Sequence, residues 1–416
     1  THETKETSFG LSGGDTSNWY SLSGGYTETN GYNSCDGRSG VLFIGCFTTE
    51  PDKDAYRNTN ASIRLGHRFD NKSEIEFFSL YSEGESEFDG SIYSGNQTDF
   101  LQHTFGAKLS TEVTDKWLIT TNLSQGRLEA ANNKNGVNVS FADNQQDHFN
   151  IQNDIQLDDE HLLSIGYEYE DYQLAIRSED DEQFGSQTTG NMAWGTALTE
   201  KLRLNASFGT AFVAPALIDL YYPYGYGNSN LDPERSQSYE LGLRGQHSGI
   251  KWSANIYRTE IKDLIALDAF WVPQNISEAL IKGLELQTAT QFSGINMDGQ
   301  ISLMDPENKS GGANDGKVLA RRAEQTVTFN ANKSFGHFNL ASKVFISGRR
   351  FDDSANTRRL AGFTTVDIVG AYRINKDLTA QVKVSNLFNE EYETVAGYNT
   401  DGTNVFFSLN YQPAAN

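Results

Sequence analysis

The sequence has 416 residues, with 33 Lys and Arg against 55 Asp and Glu, a formal net charge of −22. No run approaches the roughly 20 consecutive apolar residues of a membrane-spanning helix; Val41-Leu42-Phe43-Ile44 is among the longest apolar stretches. The acid excess disfavours nucleic acid as a partner, because phosphate neutralisation takes clustered Lys and Arg.

Aromatic residues are plentiful (25 Phe, 19 Tyr, 5 Trp), glycine is frequent (38) and proline scarce (7), the balance of strands joined by tight turns. The N-terminus shows no charged, apolar and small-residue leader, so in an exported protein Thr1 would open a mature or trimmed chain. The first Gly/Ser-rich segment, about residues 31–56, holds the only two cysteines, Cys35 and Cys46. This pair suits a loop-closing disulfide in an oxidising compartment. The same segment carries Asp36, Asp52 and Asp54, and the next, about 86–97, carries Glu87 and Asp89 with Asp99 just beyond. Hard oxygen donors on neighbouring loops suit calcium; a solvated acidic loop is the plain alternative.

Through the middle of the chain, period-2 alternation marks strands. Leu202, Leu204, Ala206 and Phe208 oppose Arg203, Asn205 and Ser207; Tyr239, Leu241 and Leu243 oppose Glu240 and Arg244; Trp252, Ala254 and Ile256 oppose Ser253 and Asn255. Between the first two lies the Tyr-, Gly- and Pro-rich segment 213–235, suited equally to contacting a bulky ligand or packing over a mouth. The C-terminal third alternates through Thr364–Ile374, Leu378–Val384 and Val405–Tyr411. Short polar turns, such as Asn71-Lys72, Asp158–Glu160, Ser293-Gly294 and Asn375–Asp377, alternate with long loops at about 31–56, 86–97, 128–143, 213–235, 305–319 and 351–361. This is the pattern of an all-β, transmembrane antiparallel outer-membrane barrel of about 19–22 strands, spanning residues 1–416 as one closed sheet. A propeller or sandwich would alternate too, but would show blade-like repeats or two cores. No HExxH, GxSxG or phosphate-loop pattern is present, so nothing points to an enzyme.

Two stretches resemble a known family. Ala214-Pro215 with Leu220-Tyr221, followed by Gly227-Asn228-Ser229-Asn230-Leu231-Asp232-Pro233-Glu234, is similar to the APxLxxLY…GNPNLxPE pattern of TonB-dependent outer-membrane transporters. Asn386-Leu387-Phe388-Asn389-Glu390-Glu391-Tyr392 resembles their NLFDxxY. Tyr392–Gly402 and Leu319-Ala320-Arg321-Arg322-Ala323 are similar to the vitamin B12 (cobalamin) branch, and the likeness runs from about 17 to 413.

The resemblance implies a cobalamin or related corrinoid ligand, received by extracellular loops that calcium orders. Asp52 and Asp54 match the family's DxD, Asp89 its aromatic-Asp pair and Asp99 a further ligand; a fourth family aspartate falls on Asn33, so either Asp36 replaces it or that ligand is lost. Arg321 and Tyr398 match ligand-touching residues. The implied surroundings are outer-membrane lipid and lipopolysaccharide, with TonB engaged only through the family's N-terminal plug, which has no counterpart in 1–416. An iron-siderophore receptor and a passive porin are the alternatives, the latter a pore whose acidic lumen would favour cations. The first hairpin reads as abbreviated around Ser8–Gly14, and near 171–176 Glu170–Gln173 meets Leu174–Ile176 directly where the family would place a loop and more strand.

Overall fold

The computed structural model describes residues 2–35, 52–89, 95–176, 181–216, 219–220, 227–268 and 272–413. These residues form 21 strands, 19 of them in one antiparallel sheet. The first eight are β1 (Lys5–Gly14), β2 (Asn18–Thr29), β3 (Tyr56–Arg68), β4 (Glu74–Glu87), β5 (Gln97–Thr114), β6 (Trp117–Lys134), β7 (Val137–Gln156) and β8 (His161–Ile176). Next come β9 (Asp181–Thr199), β10 (Leu202–Val213), β11 (Glu234–His247), β12 (Ile250–Leu267), β13 (Pro273–Phe292), β14 (Ile295–Asn308), β15 (Gln325–Phe335) and β16 (Phe338–Ser347). After a two-residue hairpin, β17 (Arg350–Phe351) with β18 (Arg359–Leu360), the sheet resumes with β19 (Phe363–Arg373), β20 (Leu378–Ser385) and β21 (Asn404–Tyr411).

Each sheet strand pairs with the one before it, β19 with β16 across the hairpin. Because the direction reverses at every step, β1 and β21 point the same way, and no ladder joins them among the described residues.

Register explains the two faces. Leu204 lies opposite Leu243, then Ala254, Leu286, Ile301, Val327 and Ile346 across seven successive strands, an unbroken apolar row. The row one residue along reads Arg203, Arg244, Ser253, Gln287, Gln300 and Thr328. In an outer-membrane barrel the first faces lipid and the second the lumen. Exposed Phe77, Leu123, Ile256, Phe407 and Leu409 belong to lipid-facing rows of this kind.

Connections segregate by length. Ser248-Gly249 and Ser293-Gly294 close two hairpins with both residues at positive φ, the paired left-handed conformation that matches strand twist. At the β1–β2 turn, Asp15 Oδ1 accepts from the Ser17 and Asn18 amides, both at 2.7 Å. The expected loop at 128–143 is instead two strands. β6 and β7 run on past the membrane and meet at Asn135-Gly136, φ 51° and 79°. Amide and hydroxyl pairs tie one face of this extension, as where Asn132 Nδ2 donates to Ser140 Oγ at 3.0 Å, while Val137, Val139 and Phe141 alternate onto the other. Through 171–176, where the family would place a loop and more strand, β8 runs unbroken to Ile176. β1 is also continuous, paired with β2 along its whole length rather than broken at Ser8–Gly14.

The family-like motifs are structural ties. Asn386, at φ 47°, donates from Nδ2 to the Glu390 carbonyl and accepts the Glu390 amide, both at 2.9 Å, winding the chain into a tight coil after β20. Asn228 Nδ2 donates to the Pro273 carbonyl at 3.0 Å, while Leu220 and Leu231 pack with Tyr172 and Leu174 into a buried cluster. The described part of segment 213–235 therefore packs over β8 at the mouth; its Tyr221–Tyr226 stretch lies outside the described residues.

Candidate ligand and metal site at the long-loop rim

Three loop groups converge at the rim opposite the short turns. The chain leaving β2 turns at Gly31, φ +59°, where a Cβ would stand 1.8 Å from the Asp54 carbonyl oxygen. Only glycine permits that approach. Beyond it the Asp54 amide donates to the Tyr32 carbonyl (3.2 Å), and Asp54 Oδ2 accepts the Ser34 amide (2.7 Å). The Ser34 hydroxyl reaches Asp89 Oδ2 at 3.4 Å. Ser34 thus bridges carboxylates from two loops.

Asp89 is the anomalous group. Its Oδ1 is buried and has no hydrogen-bond partner among the described residues. Burial, then the like charges of Asp54 and Asp52, push its pKa up to about 6 against the opposing pull of the Cys35 amide and the Ser34 hydroxyl. Three carboxylates close enough to repel, one with an orphaned oxygen, fit a hard cation in both charge and donor type. The described side chains alone do not complete such a site, since no group of three or more His, Cys, Asp or Glu at metal-holding distance occurs among them. Asp36 lies outside the described residues, as does Cys46, the expected partner of buried Cys35. Asp99 sits on β5, where the Gln97 and Asn133 side-chain amides donate to it at 2.7 and 2.8 Å.

The second group is the segment after β20. Tyr398 and Cys35 form an isolated antiparallel bridge, and Asn399 donates from its amide to the Ser34 carbonyl (2.9 Å) and from Nδ2 to the Asn33 carbonyl (3.2 Å). Burial raises the Tyr398 phenol, Arg321 opposes the rise and Asp89 adds to it. Arg321, Tyr398 and Asp89 therefore share one electrostatic neighbourhood, although they stand far apart in the chain.

The third group holds Arg321 in place. Its backbone is left-handed, φ 60°, and its amide donates to the Phe351 carbonyl at 2.6 Å. Its Nε donates to Asp352 Oδ1 at 3.0 Å, and Arg358 Nη1 donates to Oδ2 at 3.2 Å. The Ala396 amide completes the set at 3.3 Å. Asp352 is 4% exposed whereas Arg321 is 52% exposed, so the carboxylate is a buried post and the guanidinium projects from it. Nearby, Phe363 and Tyr392 stack at 3.8 Å beneath Arg350, whose pKa burial lowers.

The sequence expectations included Asp52, Asp54, Asp89, Arg321 and Tyr398, and the structure brings these five to one rim. They did not include Ser34, Asp352, Arg358 or the Ala396 amide. An acid directly after Arg349-Arg350-Phe351 was the available signal for Asp352.

The family model described as "TonB dependent receptor-like, beta-barrel" matches residues 3–387. Similar proteins include the vitamin B12 transporter BtuB of Photobacterium profundum, 27% identical over 87% of this chain and 66% of that protein. BtuB of Vibrio vulnificus is 33% identical over 58% of this chain and 40% of that protein. The chain thus spans just under two thirds, or less, of these relatives' length. Among solved structures, the siderophore receptor PiuA from Acinetobacter baumannii superposes with a TM-score of 0.74 at 16% identity, covering 98% of this chain and 74% of that one. This likeness shows the fold. The matched family is one of receptors and not of enzymes. With the apolar belt, the polar lumen row and the two unequal rims, the match means that this chain belongs to the TonB-dependent receptor-like β-barrels of the bacterial outer membrane.

Proposed function

We propose that the chain is the ligand-receiving barrel of a TonB-dependent receptor for cobalamin or a related corrinoid, with calcium ordering the loops that meet the ligand. The observation that carries this reading is the convergence of Arg321 and Tyr398 with the Asp54–Ser34–Asp89 bridge at one rim. The names of the similar vitamin B12 transporters support it. Asp52, Asp54 and Asp89 would hold the cation, with Asp36 supplying a further oxygen and Asp99 acting from the neighbouring strand. A bound calcium ion would neutralise the mutual repulsion of Asp52, Asp54 and Asp89. A Cys35–Cys46 disulfide would fix the same loop from the other side. Lipid and lipopolysaccharide would surround the wall, and TonB would act through a plug domain.

The test is titration of detergent-solubilised protein with cyanocobalamin, with calcium, with a chelator, and in an Asp52→Ala/Asp54→Ala variant. Binding that weakens in both the chelator and the variant supports the reading. Binding indifferent to both removes calcium from it, and tight binding of a ferric siderophore in place of cyanocobalamin replaces the ligand. Siderophore uptake is the second reading, because PiuA and the ferric-catecholate receptor Fiu share the fold.

A further inference from the structure

The outer face of β4 to β8 is built unlike the lipid-facing wall of β13 to β16, where Leu286, Ile301, Val327 and Ile346 stand side by side. One outward row here reads Phe77, Ala107, Leu123, Phe149 and Tyr169. Ala107 stands between two large exposed side chains, so its methyl leaves a notch. Phe105 closes that notch on the long-loop side, and the result is a groove of about 670 Å³.

The next outward row toward the long loops turns polar at the end of the groove: Ser79, Phe105, Gln125, Asp147 and Asp171. Gln125 Nε2 donates to Asp147 Oδ1 at 2.6 Å, and both residues line the groove. One row further stand Tyr81, His103, Arg127, Gln145 and Gln173. The Tyr81 hydroxyl donates to Glu83 at 2.6 Å. Arg127 donates to Asp143 from Nε and Nη2 at 2.9 and 2.6 Å and is still 40% exposed. An aromatic groove thus runs up into a band of phenol, imidazole, amide, carboxylate and guanidinium, at the level where hydrocarbon gives way to headgroups. The long loops of such barrels are extracellular, so this is the outer leaflet. A domain held in the lumen lies on the other side of the sheet and cannot cover this face.

Inside a bilayer the hydrophobic effect does not fix a lipid to a protein, because the surrounding tails are equally apolar. Close packing in a shaped groove and polar contacts at the head can do so. The chemistry of the band selects the head. Amide and carboxylate side chains match sugar hydroxyls, each of which both donates and accepts. Outward Asp143, Asp147 and Asp171 repel a simple phosphodiester head, while Arg127 offers a cationic partner to an anionic group on a sugar.

We propose that this face is a binding site for one outer-leaflet glycolipid, a lipopolysaccharide, with an acyl chain in the groove at Ala107 and its sugar head on Gln125, Asp147, His103 and Arg127. The site is separate from the loop rim and does not depend on the ligand assigned there.

The experiment is native mass spectrometry of the detergent-solubilised protein titrated with purified short-core lipopolysaccharide, with phosphatidylethanolamine and phosphatidylglycerol as separate arms. One saturable lipopolysaccharide adduct per barrel is expected, with both phospholipids binding about tenfold more weakly or less. Ala107→Trp fills the groove without adding charge, and Gln125→Leu removes a head contact while keeping the wall. Each should weaken the adduct about tenfold. Ile301→Trp, on the lipid face of the other wall, should leave it unchanged, and circular dichroism checks that every variant keeps its strands. Should Ala107→Trp fail that check, Gln125→Leu carries the test. Three results overturn the proposal: no saturable adduct in the wild type, phospholipid bound as tightly as lipopolysaccharide, or equal affinity in the wild type and the folded variants.

Discussion

Replacing Asp352 by Asn keeps the shape of a buried side chain and removes its charge. The carboxylate is 4% exposed and takes three donors, at 3.0, 3.2 and 3.3 Å, from segments around 321, 358 and 396. Hydrogen bonds to charged groups contribute about 1.5–3 kcal/mol each, and breaking a buried ion pair costs about 3–5 kcal/mol. Water recovers part of this, because the Arg321 and Arg358 side chains are 52% and 34% exposed. The net expectation is about 2–3 kcal/mol, borne by the junction of the three segments and not by the barrel wall. At about 1.4 kcal/mol per factor of ten, the amides of Arg321 and Ala396 should exchange with solvent about 30- to 150-fold faster in Asp352→Asn. Amides in the middle of β12 and β13 should be unaffected. The assay is hydrogen exchange read by mass spectrometry on peptides covering 318–324 and 393–399. An acceleration below about threefold at both amides would refute the view of Asp352 as the post that positions Arg321.

Gly31→Ala should be far more damaging than Gly136→Ala. Both need positive φ, but a Cβ at Gly31 meets the Asp54 carbonyl at 1.8 Å while nothing lies within 4 Å of Gly136; calcium titration of the two variants should show loss in the first only. Strain alone at Gly136 is worth about 1–2 kcal/mol, readable as a modest fall in the thermal midpoint. The metal-free loops should respond to pH through Asp89. Its folded pKa of about 6 lies above the ordinary aspartate value of 3.8, so the folded state holds more protons between those values and loop stability falls as pH rises from about 4 to about 6. Asp89→Asn should flatten that profile in thermal melts, and an identical profile in wild type and variant would sink the argument. Calcium, which needs the carboxylate, should bind more weakly at about pH 5 than at about pH 7.5, as titration at the two values would reveal.

Much of the barrel was legible because a strand facing lipid on one side and water on the other must alternate, and rows such as Leu204 and Leu243 against Arg203 and Arg244 do so without interruption. The 128–143 region defeated that reading. β7 does alternate there, Val137, Val139 and Phe141 against Asn138 and Ser140, but the polar run Asn132–Gly136 before it reads as loop, and the turn at Asn135-Gly136 is what joins the two strands. The acidic residues and Arg321 with Tyr398 could be picked out by residue type and resemblance.

The sequence alone therefore determined the fold class, the two rims and the chemical character of each loop, because these depend on short-range alternation and composition. Only the tertiary structure decided which loops meet. Ser34 reaching Asp89, Tyr398 bridging to Cys35 and Asp352 gathering two arginines are contacts made through the fold, most of them between residues tens to hundreds of positions apart. The same holds for the Arg203 and Arg244 pairing, which depends on ladder register. Register is set by the pairing of whole strands, and a slip of one residue would turn those side chains to the lipid face.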